Sequence, residues 1–162
     1  MSFYSFDPRE DIRKQIGYSY DCYNENVEHS CVSVYDSLNN IIYLPLLFPG
    51  EARSGDLPTF PYIEMVLVDA PSETRSITGL VKKQNAYLDF NIYYANTDNI
   101  SVVSFGRVVA SVLCDLLTDN QSSVASTCHV EVIDDGREIQ EYKDTLLVFH
   151  RIVEVHCSNW NL

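Results

Sequence analysis

Tyr87-Leu88-Asp89-Phe90-Asn91-Ile92-Tyr93-Tyr94 alternates with a period of two: Leu88, Phe90, Ile92 and Tyr94 share one face, and Asp89 and Asn91 point the other way. That is the pattern of a half-buried strand. After a short polar break the period changes. Phe105, Val108, Val109, Val112, Leu113, Leu116 and Leu117 recur at helical spacing, which predicts an amphipathic helix over about 104–118. A helix with one apolar stripe needs a surface to cover, and the strand before it supplies one.

Upstream, Asp7-Pro8-Arg9-Glu10 reads as a helix start, with Asp7 as cap, Pro8 in the first helical position and Glu10 three residues after the cap. Ile12, Ile16, Tyr20, Tyr23, Val27, Cys31, Val34 and Leu38 continue a helical rhythm. The reading is an N-terminal helical region over 7–39, one helix or two in series, broken at Gly17 or within 18–26 and ended by Asn39-Asn40. Ile41-Ile42-Tyr43-Leu44-Pro45-Leu46-Leu47-Phe48 is apolar but holds a proline, which predicts an edge strand or an extended segment. Residues 49–61 read as a loop, 62–68 as a strand, 74–82 as a further strand, and Lys83-Gln84-Asn85 as a polar turn.

Downstream, 118–126 is a polar connector. His129-Val130-Glu131-Val132-Ile133 alternates, and Asp134-Asp135-Gly136-Arg137 carries the Asp-Gly signal for a tight hairpin, with 138–143 as its returning arm. Residues 146–157 form the last strand, with Leu147, Phe149, Val153, Val155 and Cys157 on one face and His150, Glu154 and His156 on the other. The order predicts an α+β fold: a mostly antiparallel sheet packed by the 104–118 helix, with the additional N-terminal helical region. A chain of 162 residues with 46% hydrophobic content fits a single domain over 1–162, with a sheet and helix body over 41–157.

The 23 acidic residues against 11 basic ones give a formal net charge of -12, which opposes non-specific binding to a nucleic-acid backbone. The five cysteines, Cys22, Cys31, Cys114, Cys128 and Cys157, show no repeated short spacing and read as reduced, intracellular thiols. The opening residues lack the basic and apolar regions of a signal peptide, and no apolar run approaches the roughly 18 residues of a membrane span. The expectation is a soluble protein not exported by that route.

No glycine-rich phosphate loop occurs, neither GxGxxG nor GxxxxGK[ST], and no GxSxG elbow. His29 with Cys31, Cys128 with His129, and His156 with Cys157 lack the paired spacing of a structural zinc site. Neighbours on a strand also face opposite ways, so the expectation is no metal and no cofactor. Asp134 and Asp135 beside Gly136 read as turn residues rather than a catalytic pair. The 11 tyrosines and Trp160 read as strand and interface packing. These readings favour a protein that is not an enzyme.

An N-terminal helix, a proline-rich stretch from Leu44-Pro45 to Pro61-Tyr62, paired strands, the 87–94 strand feeding the 105–117 helix, and a closing strand with Arg151-Ile152-Val153-Glu154-Val155 form a series. It resembles the tail terminator, or tail completion, proteins of long-tailed viruses of bacteria and archaea, over nearly the whole chain and by element order rather than by a diagnostic motif. The resemblance implies a homo-hexameric ring in the virion tail, at the head–tail junction, assembled in the host cytoplasm. Such a ring caps the tail tube and contacts a tail-tube protein and a neck or head-completion protein. Six copies carry a formal charge of about 6 × -12 = -72, and acidic groups facing the lumen let genome DNA slide through without specific binding. Asp134, Asp135, Gly136 and Arg137 are then a subunit or tail-tube contact. Two alternatives stand: another virion connector or a tail-tube subunit, and an enzymatic or small-molecule-binding α+β domain using His150, Glu154 and His156.

Overall fold

The computed structural model describes residues 7–19, 31–35, 39–49, 61–74, 82–95, 102–118, 129–143 and 146–161. Helix α1 (Arg9–Ser19) opens on Asp7, whose Oδ1 accepts the Arg9 N–H at 3.1 Å, and its first turn closes with the Ile12 N–H on the Pro8 carbonyl at 2.9 Å. Ile12 and Ile16, one turn apart, are fully buried. Arg9 and Arg13 lay their guanidinium groups over the Phe48 ring at 5.0 and 4.4 Å, and Arg9 Nη1 donates to the Met65 carbonyl at 3.2 Å. One side of α1 is thereby pinned to the sheet.

The helical rhythm expected to run to residue 39 breaks earlier. Residues 20–30 lie outside the described ones, and Cys31–Tyr35 is strand β1. The helical count uses Cys31, Val34 and Leu38 but passes over Val32. Val32 and Val34 are β-branched, two apart and both buried, while Ser33 and Tyr35 face outward. Asn39 takes a φ of 61° between β1 and β2 (Ile41–Leu47), so the Asn39-Asn40 signal belongs to the link between two strands and not to a helix end.

Strand β2 is not the edge. It runs antiparallel to β1 from Ile41 to Pro45, then parallel to β3 (Tyr62–Asp69) through the Leu46↔Ile63 and Leu47↔Glu64 pairs. Pro45, which has no N–H, stands where pairing passes from one neighbour to the other. Strand β4 (Ser72–Thr74) pairs with the start of β5 (Lys82–Ala95). Lys83, Gln84 and Asn85, expected as a turn, are strand residues; Lys83 and Gln84 pair with both β4 and the last strand of the chain. Of the strand expected over 74–82, residues 75–81 lie outside the described ones.

Strands β6 (His129–Lys143) and β7 (Leu146–Asn161) complete a curled, mostly antiparallel sheet of order β1-β2-β3-β5-β7-β6, with β4 beside β5. The Asp-Gly signal marks no hairpin tip. Strand β6 stays paired with β7 past residue 136, from His129↔Ser158 to Lys143↔Leu146. Instead the register slips twice, between Val132 and Asp134 and between Asp134 and Arg137, so five steps of β6 oppose three of β7. Asp134 Oδ1 accepts the Gly136 N–H at 2.9 Å, which uses the local bonding of an Asp-x-Gly stretch to shape a bulge.

Helix α2 (Val102–Thr118) lies on the same side of the sheet as α1. It buries Phe105, Val109, Ala110, Leu113, Leu116 and Leu117, whereas Val108 is 44% exposed. Against it stand Ala86, Leu88, Phe90, Ile92 and Tyr94 of β5 and Phe149, Val153, Val155 and Cys157 of β7, all in one core.

Candidate functional site

The two faces of the β5–β7–β6 ribbon carry different chemistry. On the helix side, Tyr94 is fully buried between Phe105 and Phe149, with ring centroids 5.2 Å away in each case. Its hydroxyl reaches past Gly106 of α2 and donates to the Glu138 carboxylate of β6. Burial first, and then the Glu138 charge, push that hydroxyl far above the ordinary tyrosine value of 10.0, so it holds its proton as a donor. Glu138 pairs in register with Arg151 of β7. Together with Arg107, Ser111, Cys114 and Asp115 of α2 and Gly136 at the bulge, they line an open cleft of about 930 Å³. Beyond α1, the Arg9 guanidinium holds the Asp7 carboxyl below its ordinary 3.8, against the opposing effect of burial.

On the other side of the sheet, helix-free among the described residues, one small unit repeats. His150 Nε2 lies 2.8 Å from Asn91 Oδ1 and stacks on Tyr93 at 4.4 Å, and Tyr93 stacks in turn on Tyr62 at 5.0 Å. Six residues on, His156 Nε2 lies 2.8 Å from Asn85 Oδ1 and stacks on Tyr87 at 4.7 Å. The Asn85 amide nitrogen donates to the Pro71 carbonyl at 3.3 Å, which fixes the amide orientation. His156 Nε2 must therefore carry a hydrogen, leaving Nδ1 toward Glu131 Oε2 at 4.0 Å.

Between the two units, Asp89 faces Glu154 across the strands, and Asp134 follows Glu154 on β6. The β3 register slips between Leu67 and Asp69, and the first β6 slip falls beside the same rung, Leu67–Leu88–Val155–Val132. The two bulge residues, Val68 and Ile133, are 59% and 55% exposed. With Asp69, Tyr87, Asp89 and Glu154 they border a hollow of about 280 Å³.

Asp134, Asp135, Gly136 and Arg137 thus lie on a bulged outer strand, next to the α2 cleft, rather than on a projecting finger. His150, Glu154 and His156 share the helix-free face but do not converge: six residues of strand separate the two histidines by about 20 Å. His156 and the fully buried Cys157 face opposite ways. Cys128 and His29 lie outside the described residues. The sequence reading passes over Arg151 and the polar end of Tyr94. A signal is present, because Arg151 interrupts the run of odd-numbered core positions in β7, and a charge in apolar phase needs a polar partner.

Among the described residues no group of three or more His, Cys, Asp or Glu side chains is placed to hold a metal ion, and no helix is long and apolar enough to cross a membrane. No protein-family model matches the chain, and no curated protein matches it.

Proposed function

We propose that this chain is a structural virion protein that closes into a homo-hexameric ring, caps the tail tube and joins it to the neck or head connector. One observation supports the ring most directly. The two flanks of the sheet both expose large apolar side chains, Tyr35 at 69% and Ile41 at 49% on the β1–β2 flank, Ile133 at 55% and Tyr142 at 78% on β6. Unlike surfaces at opposite ends of one subunit suit head-to-tail contact, which closes into a ring when the rotation between neighbours divides a full turn. Exposed apolar groups of this size mark contact surfaces.

On this reading the bulge at Asp134, Asp135, Gly136 and Arg137 contacts a neighbouring subunit or the tube, and the protein works by contact rather than by bond-breaking. Its place is the head–tail junction of the virion, where DNA passes through the ring. Solution mass of the purified chain tests the proposal. Six copies of an 18.5 kDa chain give a particle of about 111 kDa. A monomer that never assembles, even beside its tube and neck partners, refutes it, and long cylinders identify a tube subunit instead.

A further inference from the structure

We infer that the hollow between the bulges of β3 and β6 is a docking site for an arginine side chain carried by another protein; this goes beyond the ring proposed above and does not depend on it. Each bulge adds one residue to its strand, Val68 to β3 and Ile133 to β6, on either side of the Leu88–Val155 rung. Both are β-branched and apolar, yet they stand 59% and 55% exposed, and with Tyr87 at 36% they wall one hollow of about 280 Å³. Bulges re-aim side chains, and exposed apolar groups gathered around one concavity mark a contact.

Charge selects the occupant. The charged residues lining the hollow are Asp69, Asp89 and Glu154. Asp89 has an interaction of its own, so the attraction rests on Asp69 and Glu154, neither of which is ion-paired among the described residues. The same face also carries cations. The register sets Arg137 opposite Ile152, two residues from Glu154, Lys83 opposite Trp160, six from it, and Lys143 opposite Leu146, eight from it. Strand rise places the two lysines about 20 and 27 Å away. Arg137 is matched by Asp134, which pairs with Glu154 itself, so the hollow keeps its excess of acid. A purely apolar occupant would bury those carboxylates without a partner. Arginine lays its methylenes along Val68 and Ile133, turns its guanidinium to Asp69 and Glu154 and stacks on a tyrosine such as Tyr87. A second copy, at a formal charge of -12, brings like charge to the site. Filling the hollow covers Ile133 from the face of the sheet, while Tyr142, nine residues further along β6, stays at the flank for a neighbouring copy.

The test titrates the full chain, with isotopically labelled valine and isoleucine methyl groups, with a capped peptide of one arginine between two leucines and two outer alanines. A second peptide carries citrulline, the neutral isostere, in place of arginine. The Val68 and Ile133 methyl signals should move together with the arginine peptide. Citrulline should weaken binding about tenfold, and so should Asp69→Asn combined with Glu154→Gln. Equal binding of the two peptides, or an arginine peptide that leaves both signals in place, overturns the inference. Movement of the same signals with protein concentration alone makes a second copy the occupant and overturns it too. The mass of the assembled particle tests the ring separately from all of these outcomes.

Discussion

Replacing Gly106 with alanine probes the tightest contact between α2 and the sheet. A Cβ at Gly106 would stand 2.5 Å from Tyr94 Oη, 2.9 Å from Cζ and 3.0 Å from Cε1. Tyr94 cannot retreat, because its ring has no exposed surface and is held between Phe105 and Phe149 while its hydroxyl is bound to Glu138. Alanine is the better helix former by about 1 kcal/mol. Forcing an extra carbon into a filled site costs about 1–3 kcal/mol. The overpacking wins by about 1 kcal/mol, so Gly106→Ala destabilises the protein despite its higher helix propensity. The atom in closest conflict is the hydroxyl oxygen, which Tyr94→Phe removes. Tyr94→Phe alone costs about 1.5 kcal/mol, the low end for a bond to a charged partner, since the exposed Glu138 regains water. Combined with Tyr94→Phe, Gly106→Ala should be neutral or stabilising, a coupling of about 1–2 kcal/mol. Urea denaturation of the four proteins, compared at constant m, measures this cycle. Equal effects of Gly106→Ala with and without Tyr94→Phe, or a gain in the otherwise unchanged protein, would refute the packing argument.

Because the folded state raises the Tyr94 hydroxyl above 10.0, its contribution is fully present below pH 10 and is lost as pH climbs from there toward the folded value; Tyr94→Phe should therefore flatten the alkaline limb of the stability profile, read by denaturation at stepped pH. His156→Phe keeps the stack on Tyr87 but leaves the buried Asn85 carbonyl without its donor, a loss of about 1–3 kcal/mol measurable as a lower denaturation midpoint. Asp7→Ala removes the cap of α1 and should cost about 1 kcal/mol in thermal unfolding at neutral pH, with a smaller effect in acid, where Asp7 is protonated in both states. Deleting Gly136 shortens the β6 bulge; if the ring forms unchanged by mass, residues 134–137 are not an assembly contact.

The core strand was legible because two independent constraints agree there. Leu88, Phe90, Ile92 and Tyr94 must share a face by the pleat, and the strands on either side supply registers that bury the same set. Legibility failed where one set of residues satisfies two periods. Cys31, Val34 and Leu38 fit a helix, Val32 and Val34 fit a strand, and nothing local decides between them. Pairing with β2 decides, since it buries both valines. The proline of β2 was a true signal with two meanings: it forbids a ladder bond from its own nitrogen, but a strand can still be internal when Pro45 stands at the change of partner.

The bulge shows the same ambiguity at the scale of a turn. Asp134 and Gly136 form the side-chain-to-backbone bond that Asp-x-Gly favours, and that bond serves a turn or a bulge equally well. The neighbour settles which one forms: β7 continues for 16 residues, so β6 gains more by staying paired through the slip than by turning back at residue 136. The polar pair under the helix was hidden for a related reason. Tyr94 reads as apolar and Glu138 as solvated surface, and only the sheet register, which sets Glu138 beside Arg151 and both beneath α2, joins them. A charged residue in the apolar phase of a strand, such as Arg151, therefore indicates where a polar cluster must form before its partners can be named, because burial without a partner would cost more than the fold can lose.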